Sequence, residues 1–330
     1  MPNPTYGDVH IDTALTNYSV GWAQSQTNYV AEGFAPIIPV QNVGGKYFVY
    51  DIGDWMRADA EERAPGAESA GGGFRVSTDT FYCNRMAIHQ DIDDPTRANA
   101  DPQINLDIDA TEYVTEQIIR AKETDFVTTF FGTSIWTGAS STGDMTGQAA
   151  PASTAANFRQ WNDPISTPIE DIQGEVVSVA QRIGRKPNKL LIGPQVWNAL
   201  QSHPDILDRI KYTQRGVVTE DLLASLLGLD DVRVGWATYN AGYEEGADSM
   251  GFHYGKAALL AYVNPNVGLR QPTAMLTFVW TGQTGVPARG VRIKRFRLER
   301  NESDRIEGET WFDHKVVSGV AGAFFTTAVA

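Results

Sequence analysis

Only one of the 330 residues is a cysteine, Cys83, so no intrachain disulfide framework is available. No apolar run approaches the roughly 20 residues that a membrane-spanning helix needs. The start, Met1 to Thr5, lacks a basic stretch followed by an apolar core, and synthesis in the cytoplasm is the expectation. Without a secretory signal, the glycosylation triplets beginning at Asn17 and Asn301 read as chance matches. Positive charge is also short: 27 Lys and Arg against 40 Asp and Glu leave a net charge of -13. Proteins held on nucleic acid by neutralising phosphates usually carry a basic surface, so any such contact here must be local.

Motifs of chemistry are equally sparse. His10, His89, His203, His253 and His314 never fall in a metal-binding pair, and with one cysteine they have no zinc partner set. Asp91, Asp93 and Asp94, with Asp101, Asp107 and Asp109 nearby, lack the central glycine and closing glutamate of a calcium loop and read as caps and turns. Residues 251–256 imitate a phosphate loop but are one residue short and run into Ala257, where Ser or Thr should bind magnesium. No Gly-x-Ser-x-Gly elbow exists, and Cys83, beside Tyr82 in a strand-like run, reads as a small hydrophobe.

What is present is most distinctive in the front third. Residues 34–40, Phe-Ala-Pro-Ile-Ile-Pro-Val, form a proline-punctuated arm. Two β-branched and aromatic runs follow, 46–51 and 74–82, with the Glu- and Gly-rich stretch 61–73 between them. Two strands alone are marginal in water, so this hairpin is expected to complete its burial on another subunit. Asp109 and Glu112 read as a capping box opening a helix, along which Tyr113, Val114, Ile118, Ala121, Phe126 and Phe130 keep a near-helical period up to Gly132. That helix would be about 33 Å long.

Farther on, residues 140–154 are small and aperiodic, the pattern of a surface loop. Thr167, Pro168 and Glu170 start a second helix, whose stripe is Ile169, Ile172, Val176, Val179 and Ile183 before Gly184. A buried strand at 189–193 and a helix at 194–200 lead into a mixed module with a capped helix at 219–228 and strands at 232–234, 252–254 and 275–280. In the tail, Val291 and Ile293 point one way and Phe296 and Leu298 the other, which predicts a bulge near Lys294 and Arg295. Strands at 310–317 and 323–329 complete the set.

This order of elements resembles the major capsid proteins of tailed bacteriophages, with their α+β Hong Kong 97-type fold, over nearly the whole chain. The resemblance implies residues 1–45 as an N-terminal arm, 46–90 as the extended loop, 91–193 with 288–330 as a peripheral domain around a long spine helix, and 194–287 as an axial domain. It implies a structural protein without catalytic, metal or cofactor residues, which assembles through pentamers and hexamers into an icosahedral virion shell around double-stranded DNA. The implied partners are its own copies, portal and scaffolding proteins, a cementing protein, and DNA by weak non-specific contact, with no membrane.

Some members of that family join an extended-loop lysine to a neighbour's asparagine. Here the only lysine between Met1 and Asn105 is Lys46, at the base of the first strand, so a shell without that crosslink is expected. Arg57, Glu61, Glu62, Arg63, Gly71, Gly72 and Gly73 of the loop, and Arg292, Lys294, Arg295 and Arg297 of the tail, are expected at subunit interfaces. For the basic cluster from Arg289 to Arg305 two readings stay open: pairing with carboxylates such as Asp59, Glu61 and Glu62 of adjacent subunits, or local contact with DNA. An encapsulin-like compartment enclosing cargo enzymes is the alternative on the same fold. A hydrolase would need a concave cluster of titratable groups that the sequence does not offer.

Overall fold

Asn105 opens the longest helix, Leu106–Phe130, because its side chain accepts from the Ile108 amide at 3.3 Å while Asp107 and Asp109 set negative charge in the first turn. The computed structural model describes residues 26–50, 52–100, 105–139, 143–150, 156–210, 218–242, 246–264, 266, 272–282 and 291–330. Most of the expected arm, His10, Asp101 and Arg289 therefore lie outside the described residues. The helix starts before the expected capping box, since the Asp109 amide already bonds to the Asn105 carbonyl at 3.0 Å. Its 25 residues span about 37 Å. Ala110, Val114, Ile118, Phe126 and Phe130 form its buried stripe. They pack on the long strand Ser303–Val316, where Gly308 permits close approach: a Cβ there would lie 2.4 Å from Val114 Cγ1.

That strand organises a five-stranded sheet. It pairs antiparallel with Asn84–Asp93, Arg292–Leu298 and Met275–Trp280, and the last of these pairs in parallel with the arm strand Ile37–Val40. The expected bulge does not form. Register runs unbroken from Arg292 opposite Glu309 to Leu298 opposite Ser303. The apolar phase slips for another reason: the strand lies at the sheet's edge and leaves Ile293 38% and Phe296 40% exposed.

A second sheet of six strands runs in the order Asn157–Arg159, Met145–Gln148, Gly322–Thr326, Ala258–Ala261, Lys189–Ile192, Asp231–Val234. Its middle is dry, with Leu190, Leu191, Ile192, Leu259, Leu260 and Phe325 fully buried. Helix Pro168–Ile183 packs along it and stops where Gly184 turns left-handed at φ 66°. The Thr167 side chain does not cap that helix, although its carbonyl accepts from the Asp171 amide at 3.0 Å. Helix Glu220–Leu227, capped by Thr219, packs on the edge strand Asp231–Val234.

Several expectations shift here. Part of the supposed loop 140–154 is the strand Met145–Gln148, held in parallel by the C-terminal strand, with Met145 buried. The strand expected at 252–254 is Met250–Phe252. Sheet membership also crosses the boundaries expected at 193 and 287: strands from 145–192 and 322–326 join those at 231–234 and 258–261, while Met275–Trp280 belongs to the other sheet. The intertwining is one of hydrogen-bonded sheets as well as of chain order.

Candidate assembly surfaces

The hairpin Gly44–Tyr50 with Val76–Tyr82 is regular, from Gly44 opposite Tyr82 to Tyr50 opposite Val76, and it sets residues 52–75 apart as a long tip. Its base is anchored. Tyr47 lies against Phe278 at 5.5 Å between ring centroids, Phe81 stacks on the same ring at 4.3 Å, and the buried Cys83 thiol donates to the Phe278 carbonyl at 3.7 Å. Burial pushes that thiol up to about 12, away from reactivity.

Beyond the base, enclosure ends. Every residue from Trp55 to Thr80 is exposed, including the expected contact residues Arg57, Glu61, Glu62, Arg63, Gly71, Gly72 and Gly73. Tyr50, Trp55 and Phe74 form an aromatic cluster with centroids 5.3 to 6.2 Å apart, yet Trp55 stays 62% and Phe74 56% exposed. Polar contacts shape the tip from within: the Arg75 amide and Nε both donate to Asp54 Oδ2 at 2.9 Å, and Arg57 lies 3.7 Å from Asp54. The Arg75 hydrogen bonds hold the Asp54 carboxyl below its ordinary range. Arg63 donates to the Ala67 carbonyl across a turn in which Gly66 takes φ 84°.

The basic edge strand differs from the expectation. Its cations are paired within their own chain. Arg292 reaches Glu309 at 3.0 Å, Lys294 bonds to the same carboxylate, and Arg85 reaches its other oxygen at 2.6 Å. Arg295 meets Asp304 at 3.0 Å and Asp107 at 3.2 Å, while Arg297 forms a fork on Asp94 and Arg305 one on Asp91. Counting Arg97, which bridges Asp107 and Asp304, seven cations face six carboxylates once Glu307 is included. The patch is nearly neutral, and its carboxylates come from the same chain: Asp91, Asp304, Glu307 and Glu309 from adjacent strands of the sheet, Asp94 and Asp107 from the starts of two helices. Burial opposes ionisation of Glu309, but Lys294 and Arg85 outweigh it and keep the carboxyl below its ordinary range.

The remaining titratable groups act as structure. Asp93 caps the helix Asp94–Asn99. His203 is buried and meets the Ser166 hydroxyl at 2.9 Å, and His314 meets Thr277 at 2.9 Å among the rings of Phe126, Phe130 and Phe312. Among the described residues, no group of three or more His, Cys, Asp or Glu converges as a metal site, and no helix is long and apolar enough to cross a membrane. One residue escaped the sequence reading altogether: Glu123, 1% exposed in the spine helix, accepts from the amides of Val30 at 2.9 Å and Ala31 at 3.0 Å and from the Tyr254 hydroxyl. The available signal was a charged pair, Lys122 and Glu123, where the buried stripe should continue apolar.

No family model matches the chain. It is 25% identical over 325 residues to the major capsid protein of Pseudomonas phage JBD67, covering 97% of each chain. It is also 25% identical over 266 residues to the major capsid protein of Burkholderia phage BcepMu, covering 80% of each. The chain is thus similar to the major capsid proteins of phages.

Solved structures agree on the fold of this chain. A phage-related protein of Bordetella bronchiseptica RB50 superimposes with a TM-score of 0.66 at 19% identity, covering 96% of this chain and 97% of that one. The mature capsid of bacteriophage PhiM1 gives 0.58 at 11% identity, covering 96% and 92%. The encapsulin of Synechococcus elongatus PCC 7942 is more distant, at 0.51 and 11% identity, covering 96% and 95%. The α+β architecture is the Hong Kong 97-type capsid fold.

Proposed function

We propose that this capsid protein forms pentamers and hexamers that close into an icosahedral head around double-stranded DNA, without catalysis and without a lysine-asparagine crosslink. One observation carries the reading: a hairpin whose Phe48, Trp55, Phe74, Val76 and Tyr82 are 45 to 63% exposed, although side chains of this kind gain about 1.5 to 3 kcal/mol each from full burial. Residues 46–90 act as the extended loop laid on a neighbour, with Arg57, Glu61, Glu62, Arg63 and Gly71 to Gly73 in the contact and residues 1–45 as the arm beside it. The stretches 91–193 with 288–330, and 194–287, act as peripheral and axial domains interleaved through shared sheets. Arg292, Lys294, Arg295 and Arg297 contribute to interfaces as part of a neutral ladder, which leaves DNA a weak, non-specific contact.

Synthesis in the host cytoplasm, with portal and scaffolding proteins as partners and a cementing protein as an external lock, completes the proposal. The encapsulin-like alternative is favoured less, because both curated relatives are phage capsid proteins. Electron microscopy of purified particles, with analysis of their contents, tests the choice: closed heads holding DNA are expected, and shells holding a cargo enzyme would overturn it. Lys46 sits opposite Thr80 in the hairpin, away from the tip. Boiling mature particles in detergent and reductant should therefore yield a single monomer band, and a ladder of multimers would refute the uncrosslinked shell.

A further inference from the structure

The segment just inside the arm is gripped at both ends by opposite charges drawn from different parts of the body. At its front, the Val30 and Ala31 amides donate to Glu123 of the spine helix at 2.9 and 3.0 Å. At its back, Lys189 of the six-stranded sheet donates to the carbonyls of Gly33 at 2.9 Å and Phe34 at 3.3 Å. Between the clamps, Phe34 is fully buried, edge-on to Phe126 of the spine helix at 6.3 Å and beneath the Lys189 ammonium at 5.5 Å. Lys122 holds Glu32 at 2.6 Å, and Tyr29 donates to Glu116. Glu123 also accepts from Tyr254, so one acceptor-only carboxylate gathers three donors from two distant parts of the chain.

A charge this deeply buried costs stability unless its partners stay in place. Removing either clamp therefore frees more than its own bonds: without Lys189, Phe34 loses the group covering its ring, and the amides facing Glu123 lose the packing that aims them. We propose that residues 29–35 are a strap that ties the spine helix, seated on the five-stranded sheet, to the six-stranded sheet, with Glu123 and Lys189 closing together. The feature is a conformational device, separate from the exposed hairpin and from the basic ladder.

Amide hydrogen exchange of the purified full-length subunit tests the coupling at long range. Lys189→Met is expected to raise exchange at Val30 and Ala31 by about tenfold, although neither residue touches Lys189. Glu123→Gln should raise exchange of the Leu190 and Leu191 amides by a similar factor, and Tyr254→Phe, which removes one donor from Glu123 and leaves the arm untouched, should give a smaller rise at Val30 and Ala31. Amides of the hairpin base around Tyr47 should stay within about twofold of wild type in all three, separating strap release from general unfolding. If each substitution changes exchange only beside itself, or if the hairpin base loosens equally, the strap is refuted. Should Glu123→Gln not fold, the other two variants carry the same decision.

Discussion

The six-stranded sheet and the extended hairpin are made from the same kinds of side chain and end in opposite states. In the sheet, Leu190, Leu191, Leu259 and Phe325 are 0% exposed, enclosed by strands and helices from across the chain. In the hairpin, Phe48 and Tyr82 are 63% and 62% exposed, on strands whose pairing is equally regular. Backbone pairing alone therefore does not make a core. The sheet completes its burial within one chain, whereas the hairpin leaves large apolar side chains uncovered.

The sharpest test sets one tryptophan from each region against the other. Trp136 is fully buried, with its indole donating to the Phe130 carbonyl at 2.7 Å, so Trp136→Ala should cost about 3 to 5 kcal/mol in urea denaturation. Trp55→Ala in the tip should move the same midpoint by less than about 0.5 kcal/mol, yet prevent particles from forming in sedimentation. Equal destabilisation by the two would erase the distinction between the regions.

The body also seals in a titratable group, as the outer hairpin does not. Burial, aided by Lys122, pushes His314 from 6.5 down to about 3. Between those values the unfolded chain binds a proton that the folded chain refuses, so stability present above pH 6.5 is lost as pH falls toward 3. At about 1.4 kcal/mol per unit the loss is on the order of 3 to 5 kcal/mol. His314→Phe should flatten the dependence of the urea midpoint on pH in that window, and an unchanged slope would remove His314 from the account.

A smaller effect is expected at the basic strand. Arg295→Glu with Arg297→Glu places like charge against Asp94, Asp107 and Asp304, so the isolated subunit should melt at a lower temperature by circular dichroism. An unchanged melt combined with failed assembly would return that strand to the regions, like the hairpin, that depend on neighbours.

The hairpin strands and the two principal helices were legible because their signals are local: period, a helix-stopping glycine at Gly184, and glycine between the hairpin strands. The ladder was not. Arg295 and Arg297 announce positive charge, but their partners Asp304 and Asp94 become adjacent only through a register fixed by the whole sheet. Met145–Gln148 was missed because Thr-Gly-Gln after Met145 has no strand pattern and is held by parallel pairing on both sides, with Asn157–Arg159 and with the C-terminal strand Gly322–Thr326. Glu123 broke the apolar stripe visibly, yet only the folded arm reveals why a carboxylate belongs there.

The arm strand Ile37–Val40 lies in parallel beside Met275–Trp280, with Ile37 opposite Thr277. On the ribosome, the arm therefore leaves the tunnel long before its partner strand exists, and the five-stranded sheet closes only when most of the chain has been made. Closure across such a separation is slow and leaves Ile37, Ile38 and Val40 uncovered meanwhile. Until Met275–Trp280 is made, the arm strand has no partner strand within its own sheet.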